Sequence, residues 1–401
     1  MSSQTNPDQS ISHMLAERIR AGDFPSAIYI VAENGNDVFA DAQGDAVREP
    51  ETHSATLETI YDLASLTKPL VTGLLCARLV ESGELTLDSS VAQYLQEFER
   101  ADKHHITVRD LLTHTSGLPA WRPLYITAHE KEGALAAIAN EALEHKTGER
   151  VVYSDLGFIV LGFLLQRLTG VSFDHLAQRE IIDPLQLQRT FFNPEHAVQT
   201  SVAACEAGNA YEREMCERDF PSANPFASTT PSGLPAWGPR SAHGSVTPYS
   251  GWREKVIWGE VHDGNAHFLG GAAGHAGLFS TAGETLRLAN QFIAAQSELL
   301  SKETCELFRQ NMTEGLNETR SFAWQLAATK DSTAGPNLPP DAFGHTGFTG
   351  TSCWIDAERE RVFILLTNRT HDHSLPFTNI NSTRRQFHTL AVSALGNPEN
   401  E

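Results

Sequence analysis

Strand-like segments lie at the two ends of this 401-residue chain and helix-like segments fill the middle, which limits the folds open to it. Near the start, residues 26–32 and 38–42 flank a turn at Asn34-Gly35-Asn36, the pattern of a hairpin. Asn6-Pro7-Asp8 before it reads as the cap of a helix with Ile11, Met14, Leu15 and Ile19 on one face. At the other end, residues 322–326, a segment around 344–355, and residues 361–367 have strand character, with 356–360 as the turn between the last two. A helix over 382–395 follows and stops at Gly396 and Pro398. Between about 85 and 187 the periodicity is mostly helical, including an Ala- and Leu-rich segment at 132–143 and an apolar helix ending near Leu168. The expected fold is α+β: one antiparallel sheet formed by both termini, flanked by helices, with a large helical lobe inserted. A single domain is expected, residues 1–84 and 265–401 supplying the sheet region and 85–264 the lobe. Residues 221–251, dense in Pro, Ser and Gly, are expected to be irregular.

Bulk properties narrow the partners. Fifty acidic against 30 basic residues give a formal charge of -20, which disfavours nucleic acid and anionic membranes. The five cysteines are scattered and show no CxxC spacing, so they suggest neither a metal site nor a disulfide framework. No basic start precedes an apolar core at the N-terminus, and the longest apolar run, residues 157–165, is far below the ~18 residues of a spanning helix. A soluble, cytoplasmic protein is expected. His262, His267 and His275 sit in a glycine-rich loop without helical pairing, which favours structural roles over metal ligation. Gly270-Gly271-Ala272-Ala273-Gly274 lacks the Lys and Ser/Thr of a phosphate-binding loop, and neither cofactor nor metal is expected. The sequence leaves the oligomeric state open.

Ser65-Leu66-Thr67-Lys68-Pro69 is the chemical centre of interest. Leu63, Leu66, Leu70 and Leu74 recur at helical steps, Gly83 supplies a stop, and Pro69 places the helix start close to Ser65. Ser65 and Lys68 then share a face, where a hydroxyl beside a proton acceptor at a helix N-terminus is a layout for covalent catalysis. Any Ser three residues before a Lys on a helix gives this pattern, so it is weak by itself.

Two further polar clusters strengthen it: Tyr153-Ser154-Asp155 in a loop leading into a helix, and His345-Thr346-Gly347 on a predicted strand. In that order the three resemble the S-x-x-K, Y-x-N and K/H-T-G motifs of the serine β-lactamase and penicillin-binding-protein superfamily. The resemblance is nearest to the class C-like branch, which holds esterases, D-amino-acid-specific peptidases and DD-carboxypeptidases. It runs over nearly the whole chain, and His114-Thr115-Ser116-Gly117-Leu118-Pro119 is similar to a recurrent loop of these proteins. The stretches 259–266 and 274–280 are similar to a subgroup of serine hydrolases or esterases. Lys146-Thr147-Gly148 spells the third motif literally, but it lies between helical segments where no sheet edge is predicted.

The resemblance implies that Ser65 attacks a carbonyl and is acylated. Lys68 is driven toward neutrality by burial and a nearby cation, serving as base or orienter. Tyr153 relays the proton to the leaving group, and the backbone N–H groups of Ser65 and Phe348 form the oxyanion hole. His345, Thr346 and Gly347 contact the substrate. Asp155 departs from the pattern, because an amide donates a hydrogen bond where a carboxylate only accepts. It either selects a substrate carrying a donor or pairs with Lys68. The expected function is therefore a metal-independent serine hydrolase acting on a small-molecule ester or D-amino-acid amide or peptide. The alternatives are a penicillin-binding DD-carboxypeptidase or β-lactamase, and a catalytically idle scaffold of the same fold. No G-x-S-x-G elbow is present, which disfavours α/β-hydrolase chemistry.

Overall fold

The computed structural model describes residues 6–128, 130–219 and 251–396. The irregular segment expected at 221–251 lies outside these residues apart from Gly251. Among the described residues ten strands form two sheets: β1 (Ser26–Glu33), β2 (Asn36–Val47), β3 (His53–Ser54), β4 (Tyr61–Asp62), β5 (Phe191–Phe192), β6 (Leu278–Ser280), β7 (Gln325–Leu326), β8 (Phe343–Thr346), β9 (Ser352–Asp356) and β10 (Arg361–Thr367). Seven make the main sheet in the order β3-β2-β1-β10-β9-β8-β7, and β4-β6-β5 make a small second one.

The two termini meet in the main sheet. Ala27 of β1 lies opposite Thr367 of β10, and the register runs antiparallel to Glu33 opposite Arg361. The hairpin turn forms at Asn34 (φ 52°) and Gly35 (φ 78°), the two successive positive φ values that a turn matching the twist of paired strands needs. Side chains alternate along both central strands. Tyr29, Val31, Phe363 and Leu365 pack on one face with Ile11, Leu15 and Phe387 from the terminal helices Gln9–Arg20 and Asn381–Ala394. Ile28, Ile30, Ile364 and Leu366 point to the other face and join the large core of the lobe. A sheet buried on both faces reads as continuous apolar runs, which is how β1 and β10 look in the sequence.

The segment expected as one strand around 344–355 is two strands with a turn between them. Gly347 N–H donates to Thr351 O at 2.8 Å, and Gly350 at φ 113° completes the reversal. The strand expected over 322–326 is shorter than its composition suggests. Ala323 has φ 66° and Ser321 N–H donates to Trp324 O, so pairing begins only at Gln325. The helix at Ser65 is also less regular than its spacing predicts. A 3-10 turn, Ala64–Leu66, leads into a wide π turn, Lys68–Gly73, before the α-helix Leu74–Glu81. Pro69 has no N–H to give at the start of the π turn, where none is required. Among the described residues no single helix is long and apolar enough to cross a membrane.

Candidate active site

Strand β4 delivers the chain to Ser65. Asp62, at its end, is buried, and its Oδ1 accepts the N–H of Ala64 at 2.8 Å. That bond supports Ala64 at φ 48°, a left-handed conformation costly for a residue with a Cβ. Thr67 Oγ1 donates to Ala64 O at 2.7 Å and closes the turn.

Lys68 is fully buried and its ammonium has three partners. Nζ donates to Ser65 Oγ at 2.9 Å and to His275 O at 3.0 Å, and lies 2.7 Å from Asp155 Oδ1. Burial pulls the ammonium down, but the Asp155 carboxylate and then Tyr153 outweigh it, so Lys68 sits above the ordinary lysine value. This differs from the drive toward neutrality expected from the sequence. The expectation counted burial and a cation, whereas the dominant neighbour is an anion.

Tyr153 and Asp155 flank the N-cap of the helix Asp155–Thr169. Ser154 Oγ accepts Gly157 N–H at 3.2 Å and donates to Pro119 O at 2.6 Å, which ties the cap to the loop 114–119. His114 of that loop lies tilted against Tyr153 at 4.6 Å between ring centroids, and Lys68 Nζ stands 5.0 Å from the centre of the same ring. The Tyr153 hydroxyl faces Lys68 and Ser65. Burial raises its pKa, only partly opposed by Lys68, so the phenol keeps its proton.

The sheet supplies the facing wall. His345 on β8 is buried, tilts against Tyr153 at 5.6 Å, and turns Nδ1 toward Thr346 O at 2.9 Å. Burial, then Arg320 and Lys68, push its imidazole well below the usual range, so it is neutral and brings no charge to the position where Lys is usual. Past Thr346 the chain approaches Leu63 so closely that a Cβ at Gly347 would meet Thr351 Oγ1 at 2.1 Å and Leu63 O at 2.6 Å. Only glycine fits there. The loop is then fixed from several directions. Thr349 Oγ1 donates to Asp62 O at 2.8 Å, Thr351 Oγ1 to Leu63 O at 3.0 Å, Arg384 Nη2 to Gly347 O at 2.7 Å, and Arg369 Nε to Phe348 O at 2.7 Å. Among the described residues none accepts the N–H of Ser65 or of Phe348, and both line one cavity of about 440 Å³.

All eight residues singled out in the sequence, Ser65, Lys68, Tyr153, Asp155, His345, Thr346, Gly347 and Phe348, thus come together. Lys146 does not, being exposed in a loop on a separate cleft. Several cavity residues were missed by sequence reasoning: Arg320, Arg369, Arg384, Glu212 and Asp263. Asp263 falls in the quoted stretch 259–266, and Asp62 adjoins the Ser65 motif. The others carry no local signal. Of the three loop histidines, His262 Nε2 lies 2.6 Å from Glu206, His275 Nε2 2.8 Å from Asp263, and exposed His267 3.5 Å from Glu260. Burial works against a charge on His262, but Glu206 outweighs it and raises the imidazole above its usual value.

An antiparallel sheet closed by both termini, with Ser65 and Lys68 at the seam between sheet and lobe, is the fold of β-lactamases and penicillin-binding proteins, a class of serine hydrolases. The Beta-lactamase family model matches residues 11–383, and the chain belongs to that family. Among curated relatives, the putative D-alanyl-D-alanine carboxypeptidase of Escherichia coli K12 is 28% identical over 387 residues, 89% of this chain and 81% of that protein. The N-acetylmuramyl-L-alanine amidase of Bacillus subtilis 168 is 28% identical over 391 residues, 90% of this chain and 81% of the amidase. Among solved structures, EstCE1, a hydrolase with promiscuous acyltransferase activity, superposes with a TM-score of 0.68 at 22% identity, covering 94% of this chain and 97% of that one.

Proposed function

We propose that the protein hydrolyses ester or small D-amino-acid amide or peptide substrates through an acyl-enzyme at Ser65. The observation that carries this reading is the double contact of Lys68 Nζ, 2.9 Å from Ser65 Oγ and 2.7 Å from Asp155. An ammonium cannot accept the serine proton, and Asp155 answers the difficulty. It takes one proton from Lys68, leaving an amine that receives the proton of Ser65 Oγ as the oxygen attacks the carbonyl carbon. The Ser65 and Phe348 N–H groups receive the developing oxyanion. Tyr153 gives its proton to the leaving nitrogen or oxygen as that bond breaks, and is refilled from Lys68. Asp155 then returns its proton to the amine, restoring the resting pair. Water enters in place of the leaving group, and the acyl group departs as a carboxylic acid by the reverse sequence.

The names of the two curated relatives, each describing cleavage at an alanine amide, support amides within this range. Five buried free cysteines support a reducing, cytoplasmic setting. Intact mass after exposure to a fluorophosphonate probe tests the reading. A single adduct on the native protein and none on Ser65→Ala is expected, and an unlabelled native protein with no p-nitrophenyl ester turnover above that variant would sink it. A DD-carboxypeptidase reading is favoured by the first relative, and a fluorescent penicillin discriminates it by acylating Ser65.

A further inference from the structure

The loop 114–119 begins at a helix end with an unexpected residue. The helix Val108–Leu112 closes with Thr115 N–H donating to Asp110 O at 2.8 Å and His114 N–H to Leu111 O at 3.3 Å. In such a reversal the residue just past the helix is left-handed, and glycine is its usual occupant. Here it is His114, at φ 60°. A β-carbon is costly in that conformation, so the histidine is held against the preference of its own backbone.

The contacts of His114 converge on one residue. Its main-chain O accepts Val152 N–H at 2.9 Å, and its Nδ1 accepts Ser154 N–H at 2.9 Å. The residues on both sides of Tyr153 are thereby fastened to it. The ring itself lies between Tyr153, at 4.6 Å, and Phe158, at 5.0 Å. An imidazole accepts at Nδ1 only when that nitrogen carries no proton, so this ring is the neutral form protonated at Nε2. Burial, then the charges of Arg320 and Lys68 and the neighbouring His345, hold it well below the usual imidazole range. Around the Tyr153 ring stand Lys68 Nζ at 5.0 Å, His345 at 5.6 Å and the Arg320 guanidinium at 5.6 Å.

We infer that His114 is a positioning residue for Tyr153: it pins the chain on either side of the tyrosine and backs its ring, so that the phenol stands against Ser65 and Lys68. His114 is not among the residues lining the catalytic cavity and acts through Tyr153. A proton on Nδ1 would break the bond to Ser154 and set a third cation beside Lys68 and Arg320, so the role belongs to the neutral ring. The inference rests on the acyl-enzyme reading, in which Tyr153 hands its proton to the leaving group.

The test uses two substitutions and two acetate esters. His114→Gly removes ring and acceptor at a position whose backbone favours glycine. His114→Asn returns an acceptor at the δ1 position on a residue that tolerates the left-handed conformation. Phenolate needs the Tyr153 proton more than p-nitrophenolate does. The ratio of kcat/KM for p-nitrophenyl to phenyl acetate therefore reports proton delivery and is blind to the fraction folded. In His114→Gly the ratio is expected to rise roughly tenfold or more, through kcat, with His114→Asn in between. In a Tyr153→Phe background, where delivery is already lost, His114→Gly should change it by less than about twofold. An unchanged ratio in His114→Gly, or an equal change in both backgrounds, overturns the inference. Should the glycine variant fail to fold, the asparagine variant decides alone, and a ratio equal to that of the native protein overturns it. Where the fluorophosphonate labels Ser65 but neither ester turns over, the labelling rates of the same variants form the same cycle, and equal slowing in both backgrounds overturns the inference while the acyl-enzyme reading stands. If Ser65 is not labelled and neither ester is turned over, both fall.

Discussion

Asp62 Oδ1 accepts the backbone N–H of Ala64 at 2.8 Å, while the other oxygen of the same carboxylate accepts the backbone N–H of His262 at 2.8 Å. One buried side chain therefore fixes the turn before Ser65 and the loop that leads to Asp263. Its main-chain carbonyl also receives Thr349, so the Phe348 turn hangs from the same residue.

Asp62→Asn keeps the shape but presents an NH2 group to one of two N–H donors. We expect a loss of about 1–3 kcal/mol in denaturant unfolding, the usual consequence of an unsatisfied buried donor. Fluorophosphonate labelling of Ser65 should slow in the variant at temperatures where it is still folded. Unchanged stability with an unchanged labelling rate would show that Asp62 holds neither segment.

Asp155→Asn removes the anion that lifts Lys68. Burial then dominates and the lysine titrates lower, yet at neutral pH the ammonium has lost its proton acceptor. Ester turnover near pH 7 is expected to fall roughly 10²-fold or more, within the range of general-base effects. It should climb with pH until the lysine has titrated, whereas the native rate is flatter over the same interval. A pH profile of kcat/KM checks both the drop and the slope.

Gly347→Ala drives a methyl group into Thr351 Oγ1 and Leu63 O. The Phe348 N–H moves from its place, and acylation should slow by about 10²–10³, the cost of one oxyanion donor. Labelling kinetics beside a circular dichroism spectrum separate this from unfolding. Lys146→Ala, in the look-alike motif, should leave labelling within twofold.

Buried histidines weaken the fold in acid. Burial, ahead of every other cause, depresses His114, His345 and His388, the last to about 3. Below the ordinary value near 6.5 the unfolded chain binds protons these rings refuse, so stability falls as pH drops from about 6.5 toward the folded values. His388 lies away from the cavity, with Nδ1 2.6 Å from Thr333 O. Replacing it with Gln should reduce the slope of unfolding free energy against pH by up to about 1.4 kcal/mol per unit between pH 6 and 4. A slope equal to that of the native protein would remove His388 from this role.

The fold was legible where periodicity and turn chemistry agree. Asn34-Gly35 fixed the hairpin, and the apolar runs of β1 and β10 announced strands covered on both faces. The β8–β9 turn is not legible, because Gly347 and Gly350 sit inside a Thr- and Ser-rich stretch of strand character whose reversal depends on Leu63, Thr367 and Arg384, all distant in sequence. Motif order picked out Ser65, Lys68, Tyr153 and His345. The charge of Lys68 was misjudged because the anion that sets it is 2.7 Å away in space and 87 positions away in the chain. Arg320 and Glu212 lie in unremarkable polar surroundings, and only tertiary packing brings them to one cavity.

The pairing of residue 27 with residue 367 bears on how the protein is made. Among the described residues β10 is the last strand in sequence order and the central one of the seven-stranded sheet, so β1 and β2 must wait for it until residues 361–367 have been made. Contacts of such sequence separation close late and slowly. Ser65 is translated early, but His345 and Phe348, which complete its surroundings, emerge only with the final strands. Nascent chains truncated before residue 361 should therefore be inert and prone to associate through the exposed edge of β1, and hydrolytic competence should appear only once β10 is complete.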